Sequence, residues 1–160
     1  MLTNEILYRT TNALGLRIED IVKIYQLVQY DMDREYLSNL LSKRQDSDFE
    51  LCTHEELGLF LDGLIVSRRG ESKNQNSSDK PVELTNNLIL KKLRIALEFR
   101  EAEVEIVFGL ADVELSKQQL SSLFRKATHK NYKECSDELL LSFIDGLDEF
   151  YYVGDSNTED

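Results

Sequence analysis

The stretch Cys52 to Leu64, CTHEELGLFLDGL, returns 83 residues later as CSDELLLSFIDGL, from Cys135 to Leu147. The two segments share Cys52/Cys135, Glu55/Glu138, Leu57/Leu140, Phe60/Phe143, Asp62/Asp145, Gly63/Gly146 and Leu64/Leu147, a set that mixes apolar, capping and charged positions. Two unrelated helices would not converge on all of these. The chain is therefore one unit written twice, and any fold it adopts must use that unit twice.

Both segments read as helices. Leu57, Phe60, Leu61 and Leu64 fall at i, i+3, i+4 and i+7, as do Leu140, Phe143, Ile144 and Leu147, which puts four large apolar groups on one stripe that needs a partner. Thr53 and Ser136 stand where an N-cap hydroxyl accepts from orphan amides, and Glu56 completes a capping box in the first copy. Gly63 and Gly146 precede further helix-compatible residues, so they read as points of close backbone approach held at a helical cost of about 1 kcal/mol. A C-terminal cap is the alternative.

The register extends backwards. Met1 to Leu14 matches Leu84 to Leu97 at Asn4/Asn87, Ile6/Ile89, Leu7/Leu90, Ala13/Ala96 and Leu14/Leu97. Thr3 and Asn4 resemble Thr85 and Asn86 only after a slip of one residue, which leaves the cap position open. Gly15 is placed to stop the first helix, and Glu98 holds that position in the second copy. Arg17 to Val28 and Arg100 to Ala111 form the next helix, with Ile21, Ile24, Tyr25 and Val28 repeated as Val104, Val107, Phe108 and Ala111. A third helix opens at Asp33 or Ser116, the latter in a capping box with Gln119. The fold class is all-α: two tandem four-helix repeats, with docking in pseudo-twofold symmetry as the favoured arrangement because each unit offers more apolar stripes than four short helices need, and beads on a string as the rival. The expected segments are a first repeat over 1–66, a flexible linker over 67–83, a second repeat over 84–153 and a disordered acidic tail over 154–160.

The chain of 160 residues carries a formal charge of −11, which opposes nucleic acid and anionic membrane surfaces unless cations are concentrated locally. Two cysteines, one per copy at the same position, suit buried thiols in a reduced cytoplasmic protein better than a disulfide scaffold. No apolar run approaches the ~18 residues of a membrane span.

One place concentrates cations. Where the first copy has Asp46, Asp48 and Glu50, the second has His129, Asn131 and Lys133. The longer stretch FRKATHKNYKEC adds Arg125, Lys126 and Lys130 around Tyr132, a loop able to hold an anionic ligand or a phosphate, with Tyr132 as a stacking surface. The competing reading is that it pairs with the first copy's acidic loop or only solvates the surface. Ahead of it, Glu103 to Lys126 has a helix-turn-helix outline with Lys117, Gln118, Ser121 and Ser122 on the second helix, yet its counterpart Asp20 to Lys43 carries Asp33 and Glu35, which oppose DNA. Cys52 with His54, and Cys135 with His129 and Asp137, fall short of the four donors of a structural zinc site, so no metal and no cofactor is expected. His54 and His129 do not align between copies, no phosphate loop or nucleophile motif appears, and Asp62/Asp145 read as a solvated helix edge.

The segments LTNNLILKKLRIAL (84–97) and LSSLFRKATHKNYKEC (120–135), with the two F-x-D-G-L endings at Phe60 to Leu64 and Phe143 to Leu147, resemble the bacterial YehS-type family of uncharacterised proteins, which carry a short domain of unknown function twice in tandem. The resemblance spans nearly the whole chain outside the linker and tail. It implies a bacterial, cytoplasmic, helical protein and brings no activity, ligand or catalytic residue. The family pattern has Pro-Gly where this chain has Ala127 and Thr128, at the centre of the basic loop. The expectation is a non-enzymatic protein that binds an unknown protein or anionic ligand, and no membrane, through Lys117, Arg125, Lys126, His129, Lys130, Tyr132 and Lys133. The rival is a nucleic-acid-binding regulator using the helix-turn-helix outline of the second copy.

Overall fold

The computed structural model describes residues 1–70 and 83–156, with side chains through Tyr152. Eight helices make up the described residues, and no strand occurs among them. The first repeat holds α1 (Thr3–Ala13), α2 (Ile18–Gln26), α3 (Arg34–Leu40) and α4 (His54–Arg69). The second holds α5 (Asn86–Ala96), α6 (Glu101–Leu110), α7 (Lys117–Ser122) and α8 (Asp137–Ser156).

Local chemistry sets these boundaries. The Thr53 hydroxyl accepts from the Glu56 amide at 3.0 Å while the Glu56 carboxylate accepts from the Thr53 amide at 2.8 Å, a complete capping box. Ser116 and Gln119 form another at α7, and the Ser136 hydroxyl accepts from Leu139 at 3.1 Å. At the other end of the first helix, Gly15 adopts φ 66° and Glu98, its counterpart, φ 56°. The chain reverses identically in both: Leu16 N–H donates to Thr11 O at 2.9 Å, and Phe99 N–H to Arg94 O at 3.0 Å. Gln29 and Asp112 form a second matched left-handed pair after α2 and α6.

The helix starts resolve the cap position that the sequence left open, because the register is 83 without a slip. Thr85 caps α5 by accepting from Leu88 at 3.1 Å, while Leu2 offers α1 no side-chain cap. Thr3 instead donates to Cys52 O at 2.8 Å, and Asn86, in the equivalent place, donates to Cys135 O at 3.1 Å.

The two repeats share one core. In each, the second helix packs on the long fourth helix of its own repeat, α2 on α4 and α6 on α8. The first helix crosses to the other repeat, α1 on α8 and α5 on α4. This exchange makes the arrangement pseudo-twofold. It solves the surface problem of a ~65-residue unit, which alone buries only about 60% of its chain surface. The halves repeat their central aromatic contact, Tyr25–Phe60 at 6.1 Å and Phe108–Phe143 at 5.1 Å. Tyr25 differs from Phe108 by a hydroxyl, which donates to Glu56 O at 2.8 Å and so satisfies a polar group inside the core. Ion pairs cross between the repeats in matched positions, Arg9 to Asp145 at 2.8 Å and Lys92 to Asp62. The recurring Asp62 and Asp145 are thus inter-repeat contacts and not a merely solvated edge. Because both are partly exposed, each pair contributes only about 0.2–1 kcal/mol and serves mainly to fix orientation.

Two expected boundaries move. α4 continues past Val66 to Arg69 and closes at Gly70, with Arg68 and Arg69 favourably placed at the negative end of the helix. α8 runs to Ser156, into the stretch expected as acidic tail, following the anchorage of Phe150 against Phe99 at 5.5 Å. The remainder of the expected linker, 71–82, and of the tail, 157–160, lies outside the described residues.

Candidate binding site

The basic loop is held by one buried side chain. Asn87, on α5, donates to Leu123 O at 3.0 Å and Lys133 O at 2.8 Å, and its own carbonyl accepts from Cys135 N–H at 2.8 Å. One amide therefore ties both ends of the loop to the helix. Asn4 does the same work in the first repeat, donating to Leu40 O at 3.0 Å and Glu50 O at 2.8 Å and accepting from Cys52 N–H at 2.9 Å. The turns between the ties also coincide. His129 N–H donates to Lys126 O and Tyr132 N–H to His129 O, as Asp46 does to Lys43 O and Phe49 to Asp46 O. Both loops are thus the same backbone carrying different charges.

Over residues 42–51 the formal charge is −1, and over 125–134 it is +3. Arg125, Lys126, His129, Lys130 and Lys133 are all exposed, and Tyr132 is half-buried. None of them lies within 4.0 Å of a carboxylate among the described residues, nor do Asp46, Asp48 or Glu50 meet any cation there. Asp46 is engaged locally, accepting from Lys43 N–H at 3.0 Å. His129 Nδ1 accepts from Asn131 N–H at 3.0 Å, so in the neutral ring the proton sits on Nε2, which faces Arg125 Nη1 at 3.4 Å. Two donors converge there, the geometry that an anion would complete.

The structure brings Arg125 and His129 together but leaves Lys117 apart. Lys117 opens α7, and the six-residue helix separates it from the loop by about 9 Å of rise. So short a helix also offers little to a nucleic-acid groove, and it follows α6, whose Glu101, Glu103 and Glu105 oppose phosphate.

Beside the loop lies a feature that the sequence reading missed. Arg69 from α4, Lys91 and Arg94 from α5, and Phe99 and Phe124 line an open cleft of about 400 Å³. Arg94 stacks over the Phe124 ring at 4.6 Å and donates through Nε to Phe99 O at 3.2 Å, while Arg69 pairs with Glu98 at 3.8 Å. Phe124 immediately precedes Arg125, so the cleft ends where the loop begins. Its cations come from both repeats, which is why no single stretch of sequence displayed it.

The two thiols are free and buried at equivalent positions. Burial pushes each up to about 12, with Glu56 adding to the shift at Cys52 and Asp137 at Cys135. Such groups stay protonated near neutral pH and pack as small apolar side chains. Among the described residues no group of three or more His, Cys, Asp or Glu is placed to hold a metal ion, and no helix is long and apolar enough to cross a membrane.

Comparison with known proteins follows the same twofold division. A family model described as a protein of unknown function, DUF1456, matches residues 3–70 and again 86–151, one match per repeat. The chain belongs to the DUF1456 family. It is 30% identical over 147 residues to the uncharacterized protein YehS of Escherichia coli (strain K12), covering 92% of this chain and 94% of that protein. No solved structure matches significantly. The DUF1456 boundaries begin at Thr3 and Asn86, the two residues that donate to the cysteine carbonyls.

Proposed function

We propose that this DUF1456 protein is a non-enzymatic binding protein of the bacterial cytoplasm that captures an anionic partner on the second repeat, through Arg125, Lys126, His129, Lys130 and Lys133 and the adjoining cleft. The observation that carries this reading is the contrast between two loops of one backbone geometry. Among the described residues no carboxylate pairs with the cations of the loop at 125–134, on a protein of charge −11. Because Asn87 already pins the loop, its backbone loses little freedom on binding, and the cost that remains is the ordering of the Lys and Arg side chains. The convergence of Arg125 and His129 supplies the directional part.

The test is a titration of isotope-labelled full chain at physiological salt, once with inorganic phosphate and once with a glutamate-rich peptide. Resonance shifts should concentrate at residues 125–133 and disappear in the Arg125→Ala, Lys126→Ala, Lys130→Ala triple variant. Absence of localised shifts with either probe contradicts the proposal. Mobility shifts with mixed DNA and RNA at low and then physiological salt separate the nucleic-acid reading. Complexes that persist at physiological salt and vanish in the triple variant would replace the present proposal with it.

A further inference from the structure

The outward face of α6 has no counterpart in the other repeat. Val104, Val107 and Phe108 turn inward and are buried. On the opposite side, Ala102, Ile106, Gly109 and Leu110 form an exposed stripe, with Ile106 52% and Leu110 40% accessible. A Cβ added at Gly109 would meet nothing within 4 Å, so the stripe is open along its length. At the matching positions α2 carries Glu19, Lys23, Gln26 and Leu27, an ordinary solvated face. The two halves also differ in their intramolecular cover. α3 packs along α2, and Arg34 reaches Glu19 at 3.6 Å, whereas the shorter α7 makes no comparable contact with α6.

The charges beside the stripe are of one sign. Glu101 and Glu105 lie along one edge and Glu103 along the other, and Asp112 and Glu114 follow in the turn. No Lys or Arg occurs from 101 to 116. A second copy of this acidic face would be repelled, whereas a helix with an apolar stripe between basic residues would match it in both respects. We infer that the α6 face, from Ala102 to Leu110, is a docking surface for a basic amphipathic helix of a partner protein, separate from the basic loop. Small residues at 102 and 109 let the incoming helix lie close, and Ile106 is its central apolar contact.

The probe is a fluorescent Leu/Lys amphipathic helical peptide, titrated into the full chain at physiological salt and read by anisotropy. Ile106→Lys, which gives α6 the residue type that α2 has at Lys23, should weaken binding by about tenfold or more. Ile106→Ser, which leaves the charge unchanged, should weaken it by several-fold, and Lys23→Ser should leave it within about twofold, the small effect of a distant surface change. Equal binding by wild type and both Ile106 variants would overturn the inference, because charge alone would then hold the peptide. Sedimentation showing a wild-type dimer that Ile106→Lys dissociates would also overturn it, since the occupant would be a second copy.

Discussion

Replacing Gly146 by Ala is expected to destabilise the protein by about 2–4 kcal/mol and to lower its melting temperature by roughly 5–15 °C, as read by calorimetry. The added Cβ would lie 2.0 Å from the carbonyl oxygen of Val107, and at Gly63 it would lie 2.3 Å from that of Ile24. Each contact is with backbone of the neighbouring helix, so no side chain can swing aside and α6 or α2 itself must retreat. Helix propensity alone favours Ala over Gly by about 1 kcal/mol, so packing reverses the intrinsic preference. Gly58 provides the control: it lies in α4 with nothing within 4 Å of an added Cβ, and Gly58→Ala should be neutral or stabilising by up to about 1 kcal/mol. Loss of stability at Gly58 equal to that at Gly146 would show that close approach is not the cause.

The Asn87→Ala variant is expected to lose about 2–4 kcal/mol in a denaturant melt, because three hydrogen bonds go at once and their partners at Leu123, Lys133 and Cys135 lose the side chain that satisfies them. Asn87→Asp should be at least as damaging, since a carboxylate keeps the acceptor, loses both donors and places a charge in a buried site. Asn4→Ala should cost less, because its bond to Glu50 O is exposed and water can replace it. Hydrogen exchange adds a local readout: at Lys133, whose amide donates to Ser122 O, protection should fall more than global destabilisation explains. An Asn87→Ala protein as stable as wild type, with Lys133 still protected, would remove the asparagine from its role as the loop's anchor.

Helix number, the 83-residue register and the docking of the repeats were legible in the sequence because apolar periodicity and duplication are local signals that recur. Gly63 and Gly146 were legible for a related reason: a glycine inside a strongly patterned helix costs stability, and recurrence of that cost implies packing. The left-handed turn at Glu98 carries no composition signal of its own and emerges only through its counterpart Gly15. Asp145 was misread because its partner, Arg9, lies 136 residues away in sequence, where helical spacing says nothing. The same limit hid the cleft, whose cations come from α4 and α5. The exposed stripe on α6 escaped notice for a different reason. Periodicity and the match to Ile21 and Ile24 mark Val104 and Val107 as the inward face, but that Ala102 and Ile106 form a second, exposed apolar side shows only in the burial. Of the basic residues read as one site, Arg125 and His129 meet, whereas Lys117 had been joined to them by sequence proximity and sits at the far end of α7.

A shared core assembled by crossing α1 onto α8 and α5 onto α4 makes one decisive demand: neither half should be a folding unit alone. The direct measurement places a protease site between residues 71 and 82 of the full chain, cuts it there, and follows the nicked protein by native mass spectrometry and a thermal melt. Halves that remain together near the 18.6 kDa mass of the intact chain and lose structure in a single transition are the expected result. Halves that separate on cutting, each then unfolding cooperatively by itself, would contradict it.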